Sequence, residues 1–249
     1  MIRSLIPFAL RKSIRGFEYC WRIGLGRHCL AALHSSDSLR FIGSEYGGWW
    51  VPDSVLTVGG DAICCGCGTD VSFDLILAHV YGFNVRSLDP TPNSASYVSR
   101  LVNAGSSLKF ESYGIYSRRT KMKFFPPASL FEDSYSISNI QDTENPLEFE
   151  VITISEIVDG NGRDPAILKM DIEGAEVAVL FNLLKSECRP SCILVEFDEL
   201  AYPTAWRLAK IRVVCRMLLR SNYKLFRASG SNFCFQYDSQ TVTRGNAYT

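Results

Sequence analysis

The residues best suited to chemistry are the acids of Lys169-Met170-Asp171-Ile172-Glu173-Gly174-Ala175-Glu176, followed downstream by Glu196-Phe197-Asp198. Grouped carboxylates can take a proton from a hydroxyl, clamp a substrate or ligate a hard divalent cation. Each group ends an apolar run, 166–170 and 191–195, of the length expected for a buried strand. Asp171, Glu173 and Glu196 are the candidate catalytic residues, with Asp171 at the centre of the chemistry. Capping is the competing reading, because acids at a helix N-terminus are stabilised by about 0.3–1 kcal/mol each. A divalent cation held between the two strand tips is not favoured, and no metal ligand is assigned.

A second constellation lies upstream, in Asp61-Ala-Ile-Cys-Cys65-Gly66-Cys67-Gly68-Thr69-Asp70 and Val85-Arg-Ser-Leu-Asp89-Pro90. Gly66 and Gly68 let the backbone turn out of a strand and allow a ligand to approach where no Cβ intrudes. Asp89 falls about 20 residues on at the tip of the next strand, where a carboxylate can accept ribose hydroxyls. Cys65, Gly66, Gly68, Asp70, Asp89 and Pro90 are therefore candidate cofactor-binding residues. Glycines end many strands for purely structural reasons, so the pair means little without Asp89. A dinucleotide loop usually carries a third glycine; Val71 stands there, which favours an adenosine-type cofactor with no pyrophosphate, such as S-adenosylmethionine. The same departure argues against a dinucleotide-dependent oxidoreductase.

The elements that must position these residues read as an α/β fold. Apolar runs at 62–65, 84–88 and 108–112 alternate with helical spacing over 70–80 and 93–103, the pattern of a parallel sheet with crossover helices. The middle of the chain, 117–150, is irregular apart from a strand at 121–125, and reads as a lid or binding loop. A short strand is expected near 151–154. Regularity returns with a strand at 166–170, a helix at 174–184, a strand at 191–197 and an amphipathic helix at 204–220. Strands at 223–227 and 233–237 form an antiparallel hairpin at one sheet edge, and the last dozen residues read as a frayed tail.

Residues 1–48 are read as a basic helical cap on a domain spanning 49–249, the whole being a single domain. Leu5, Phe8, Ile14, Phe17 and Trp21 are the candidates for the cap's packed face, and its arginines lie in water. The competing reading is a peripheral anchor on an anionic membrane. Lys+Arg and Asp+Glu stand at 26 each, which disfavours a nucleic-acid partner. With no apolar run of membrane-spanning length and no secretion signal, the chain reads as cytoplasmic, with membrane association left open. Nine irregularly spaced cysteines suit buried, reduced thiols better than disulfides or zinc ligands. His28, His34 and His79 read as structural.

Gly47-Gly-Trp-Trp-Val-Pro52, the Gly66-Cys-Gly68-Thr-Asp70 loop, Asp89-Pro-Thr-Pro92, the Lys169–Glu176 element and Ile193-Leu-Val-Glu196 occur in the order seen in FkbM-type methyltransferases, which this chain resembles from about residue 46 to 197. The first loop departs from the Asp-x-Gly-x-x-x-Gly more usual there, and Asp198 stands where many members place a histidine. The resemblance implies a Rossmann-like class I methyltransferase fold, a mostly parallel central sheet with helices on both faces. It also implies methyl transfer to an acceptor that is often an oxygen of a small molecule, sugar or glycan. Gly66, Gly68 and Asp89 would bind the cofactor, and Asp171 and Glu173 would line the reaction site. A catalytically silent methyltransferase fold acting as a scaffold is the alternative, which intact acids at the strand tips argue against.

Overall fold

Short runs of apolar residues without polar alternation become strands covered on both faces, and they form the centre of this molecule. The computed structural model describes residues 7–33, 38–103, 108–127, 135–137, 139, 142–158 and 163–238. The strands are β1 (Leu39–Ile42), β2 (Trp49–Pro52), β3 (Asp61–Cys65), β4 (Asn84–Leu88), β5 (Lys109–Glu111), β6 (Gly114–Ile115), β7 (Thr120–Phe124), β8 (Leu147–Ile152), β9 (Ile167–Met170), β10 (Cys192–Glu196), β11 (Tyr223–Ser229) and β12 (Asn232–Tyr237). The helices are α1 (Phe8–Arg22), α2 (Gly26–Leu33), α3 (Asp53–Val58), α4 (Ser72–His79), α5 (Pro92–Asn103), α6 (Ile154–Val158), α7 (Glu176–Leu183) and α8 (Ala205–Arg220).

Seven strands form one sheet in the order β11-β12-β10-β9-β3-β4-β5. The strands from β10 to β5 are parallel, and β12 runs antiparallel between β10 and β11. The Rossmann-like fold and edge hairpin expected from the sequence are therefore present. Alternation along each strand divides the interior into two layers. Ile63 and Cys65 of β3 join one cluster with Leu180, Ile211 and Val214, while Ala62 and Cys64 join the other with Phe73, Leu77 and Val98. All nine cysteines are buried and none is in a disulfide, and they are distributed between both layers.

Two regions differ from the sequence reading. Residues 39–42 are not part of a helical cap but a strand paired antiparallel with 49–52. Four residues are too few to show a period, and the helical pattern before them carried the assignment past its end. The middle of the chain is also more regular than expected. β7 pairs antiparallel with β8, with Lys121 opposite Glu150, Met122 opposite Phe149 and Lys123 opposite Glu148. Opposite charges on one face and apolar residues on the other are ordinary sheet stabilisation. Residues 128–134, 138 and 140–141 of this stretch, and the tail from 239, lie outside the described residues.

The N-terminal helices pack on β11 with their small residues inward. Gly16 sits so close to the sheet that a Cβ there would lie 2.3 Å from the Ala228 carbonyl oxygen. Cys20, Ile23, Leu25 and Cys29 continue this buried face. The large residues expected to pack are instead outside: Phe8 is 39% exposed, Ile14 52% and Trp21 57%. Only Phe17 of the expected face that is described is packed against the core. No helix among the described residues is long and apolar enough to cross a membrane.

Candidate active site

The carboxyl ends of four parallel strands are level. Leu88, Cys65, Met170 and Val195 form one row across β4, β3, β9 and β10. The residues immediately following them are Asp89, Gly66, Asp171 and Glu196. Strand order reverses between β3 and β9, which is where open α/β sheets leave a crevice for ligands. The two sequence constellations thus meet at one place.

Their junction is built from backbone. Gly66 has φ +74°, its N–H donates to the Leu88 carbonyl at 2.8 Å, and a Cβ on it would stand 1.6 Å from the Asp171 carbonyl oxygen. The Asp171 N–H in turn donates to the Cys65 carbonyl at 3.1 Å. The Cys65 side chain belongs to the core, and burial pushes its thiol up to about 12. The Lys169 ammonium donates to the Gly66 carbonyl and lies 3.7 Å from Asp171 Oδ2, which ties both loops to one buried cation. Burial alone would lower Lys169, but Asp171 and the buried Asp74 overcome it and hold it charged. Spacing alone assigns Lys169 no role; its one signal in the sequence is a lysine inside an otherwise apolar strand.

Asp89 is 5% exposed and organises the first loop. Its Oδ2 accepts from the Gly68 N–H at 2.9 Å, and its Oδ1 from the Thr91 N–H at 2.9 Å and hydroxyl at 2.6 Å. A carboxylate offers about four acceptor positions, so three internal bonds leave room for one further donor. Pro90 follows it, half-buried. Gly68 has φ +52° and open space where a Cβ would point. Asp70 accepts from the Ser44 hydroxyl and from the Ser72 N–H at 2.9 Å, tying the loop to the Gly47–Gly48 segment. Burial would raise its carboxyl, but the Ser44 and Ser72 bonds outweigh this and hold it below its usual range.

The acids divide into two kinds. Glu176 is fully buried and accepts from the Ile172 N–H at 2.9 Å and the Gly174 N–H at 3.0 Å, so it shapes the turn before α7. The others are partly exposed beyond the strand tips. Asp171 is 32% exposed at its side chain, and burial raises its carboxyl above the ordinary range against the pull of Lys169. Glu173 adopts φ +54°, and its carbonyl accepts from the Ser136 hydroxyl and Ile137 N–H, which brings the middle insertion onto the site. Glu196 accepts from the Ser231 hydroxyl, and burial with the neighbouring Asp171 charge pushes it up to about 7. Asp198 joins Asp171 and Glu173, each offering a carboxylate oxygen within 4.8 Å of the others. Among the described residues this is the one His, Cys, Asp and Glu grouping spaced to hold a metal ion. Asp198 Oδ2 is buried with no hydrogen-bond partner, and burial with Glu176 raises its carboxyl. Such a set is relieved by shared protons or by a cation.

This crowding carries a stability consequence. Glu196, Asp171, Asp198 and Glu176 all titrate above their unfolded values, so the folded chain holds more protons than the unfolded one at mildly acidic pH. Stability is then greatest below about pH 4.5 for these groups and is lost as pH rises through 7. Glu196 alone accounts for on the order of 3 kcal/mol. Urea midpoints should fall between pH 5.5 and 8, and Glu196→Gln should flatten the slope. A midpoint that rises over this window contradicts the geometry.

With that geometry in place, similarity to known proteins can be read. The family model described as the methyltransferase FkbM domain matches residues 66–225, from the glycine loop into β11. A solved chain reported under "Conversion of a Disulfide Bond into a Thioacetal Group during Echinomycin Biosynthesis" is 17% identical, covering 78% of this chain and 83% of its own. Its TM-score of 0.33 makes the likeness too distant to bear on the reaction. No curated protein matches. The matched residues span both halves of the crevice and more than half of the sequence, and the chain belongs to the FkbM methyltransferase domain family.

Proposed function

We propose that this methyltransferase uses S-adenosylmethionine to methylate a hydroxyl oxygen on a sugar, glycan or other small molecule. The observation that carries the reading is the placement of Asp171 and Glu196 on adjacent strand tips, beside the open face of the Gly66–Gly68 loop.

The residues fit the cofactor. Gly68 leaves its Cβ position empty, and Asp89 keeps one acceptor position for a ribose hydroxyl. When bound, S-adenosylmethionine supplies an electrophilic methyl group. Asp171 accepts the hydroxyl proton as the acceptor oxygen gains its methyl. Lys169 keeps Asp171 in register and favours its ionised form. Glu196, poised near neutrality and anchored by Ser231, holds the acceptor or takes the proton onward. Residues 135–137, bonded to Glu173, close one side of the crevice and orient the acceptor.

Calorimetric titration tests the cofactor assignment. The wild type is expected to bind S-adenosylmethionine and not NAD. Asp89→Ala removes the acceptors for Gly68 and Thr91 as well as the ribose position, and should weaken binding by about 100-fold or more while circular dichroism stays unchanged. Binding of NAD alone, or of neither, would sink the assignment.

A further inference from the structure

The helices on the β11 side of the sheet carry a charge that the composition conceals. α1 and α2 hold Arg11, Lys12, Arg15, Arg22 and Arg27 against a single acid, Glu18. α8 adds Arg207, Lys210, Arg212, Arg216 and Arg220 with no acid. The Arg212 guanidinium donates to the Ile23 carbonyl at 3.0 Å, so α8 is fastened to the turn between α1 and α2. These three helices thus bear ten basic residues and one acid in a chain holding 26 of each sign. The rest of the molecule is correspondingly acidic.

Apolar residues stand on the same helices. Leu10, Ile14 and Trp21 are 52%, 52% and 57% exposed and recur at the spacing of one helix face, within an arc of roughly 40° at 100° per residue. Arg11, Arg15 and Arg22 run beside this stripe. Leu33 of α2 and Trp206 of α8 are also exposed, at 52% and 69%. The stripe is not the surface that seats α1, because Gly16 and Cys20, roughly 100–140° round the helix from it, already hold α1 on β11. Contact with a phosphate backbone is made by charge and needs no run of exposed aliphatic side chains. A lipid interface takes both, with apolar residues below the headgroups and arginines among them.

We propose that α1, α2 and α8 form a docking surface for an anionic lipid bilayer. The surface lies next to the reaction site. The Gly230 N–H donates to the Lys12 carbonyl at 2.6 Å, and the adjoining Ser231 hydroxyl donates to Glu196. Docking therefore sets the crevice beside the headgroup layer, where an acceptor carried on a lipid is presented to it.

The test is co-sedimentation of the full chain with vesicles of phosphatidylcholine alone or mixed with phosphatidylserine. Partitioning onto the mixed vesicles should be at least about tenfold stronger and should weaken as salt is raised. Ile14→Ser with Trp21→Ser should release the protein at least tenfold, and so should Arg11→Glu with Arg15→Glu. Arg11, Ile14 and Arg15 are exposed, and Trp21 is more than half exposed with its covered side meeting Phe17 and Gly26, away from the strand tips. Circular dichroism and S-adenosylmethionine binding should therefore be unchanged, which separates failure here from failure of the cofactor assignment. Three results overturn the proposal: no partitioning at low salt, partitioning indifferent to both double variants, or sedimentation velocity showing a dimer that Ile14→Ser with Trp21→Ser dissociates.

Discussion

Gly66→Ala should fail to fold or lose more than about 4 kcal/mol of stability, an extreme cost for one methyl group. Two independent penalties act at this position. The backbone has φ +74°, which costs an L-residue roughly 1–2 kcal/mol. The added carbon would also stand 1.6 Å from the Asp171 carbonyl oxygen. That oxygen cannot retreat as a flexible side chain would, because the Asp171 N–H is bonded to Cys65 and the Gly66 N–H to Leu88. Relief requires prising β3 from β9 at the centre of the sheet. Gly68→Ala is the informative contrast. Its Cβ meets nothing within 4 Å, so only the left-handed conformation at φ +52° is penalised. The fold should survive with a loss of about 1–2 kcal/mol, while the new methyl occupies the face proposed for the cofactor. Thermal melts and calorimetry on the two variants should therefore disagree: no cooperative melt for the first, a near-normal melt with weakened S-adenosylmethionine binding for the second. A Gly66→Ala protein that melts like the wild type would refute this account of the junction.

Asp171→Asn should lower methyl transfer by about 10²–10⁴-fold, the usual contribution of a positioned general base. The amide keeps the size of the carboxylate and loses its charge and basicity, and Lys169 retains Asp74 as a buried counter-charge. Cofactor affinity should change by only a few fold, since Asp171 is assigned to the acceptor's side of the crevice. Glu176→Gln separates chemistry from architecture within the same motif. Its carboxylate accepts from Ile172 and Gly174, so its loss should appear in stability before it appears in turnover. Single-turnover rates for both variants, measured beside urea midpoints, decide the matter. Unchanged transfer in Asp171→Asn removes it as the base.

The strand tips that carry the candidate site are legible in the sequence because their signals are local. A buried strand announces itself by four or five apolar residues, and the residue that ends it is then placed by the sheet. Asp89, Asp171 and Glu196 were identified on that basis and share one row. What the sequence concealed was how the chain's own atoms use these residues. Nothing in the spacing tells that Asp89 already holds Gly68 and Thr91, or that Lys169 reaches across to Gly66. Only the end of β8 is expected from the sequence, near 151–154, although Leu147-Glu-Phe-Glu-Val151 alternates with period two, because Pro146 and the polar stretch before it mark a loop. The N-terminal helix shows a different failure. The spacing of its large apolar residues predicts a packed face that, Phe17 apart, lies outside, because close approach to a sheet selects small residues, and Gly16 and Cys20 are what β11 accepts. In a helix with two uncharged stripes, size rather than hydrophobicity tells which one faces inward.

The nine buried cysteines make the molecule its own reporter of opening. Burial drives thiols such as Cys64, Cys65, Cys67 and Cys215 upward, so few thiolates are present at neutral pH to meet an alkylating reagent. Labelling then proceeds at the pace of structural opening rather than of sulfur chemistry. Because the thiols divide between the two core layers, a mass spectrum taken during a labelling pulse distinguishes the layers without any engineered probe. A single jump to full labelling means that the sheet opens as one unit. A partly labelled species identifies, through Cys20 and Cys215 or through Cys64, Cys67 and Cys192, which side of it loosens first.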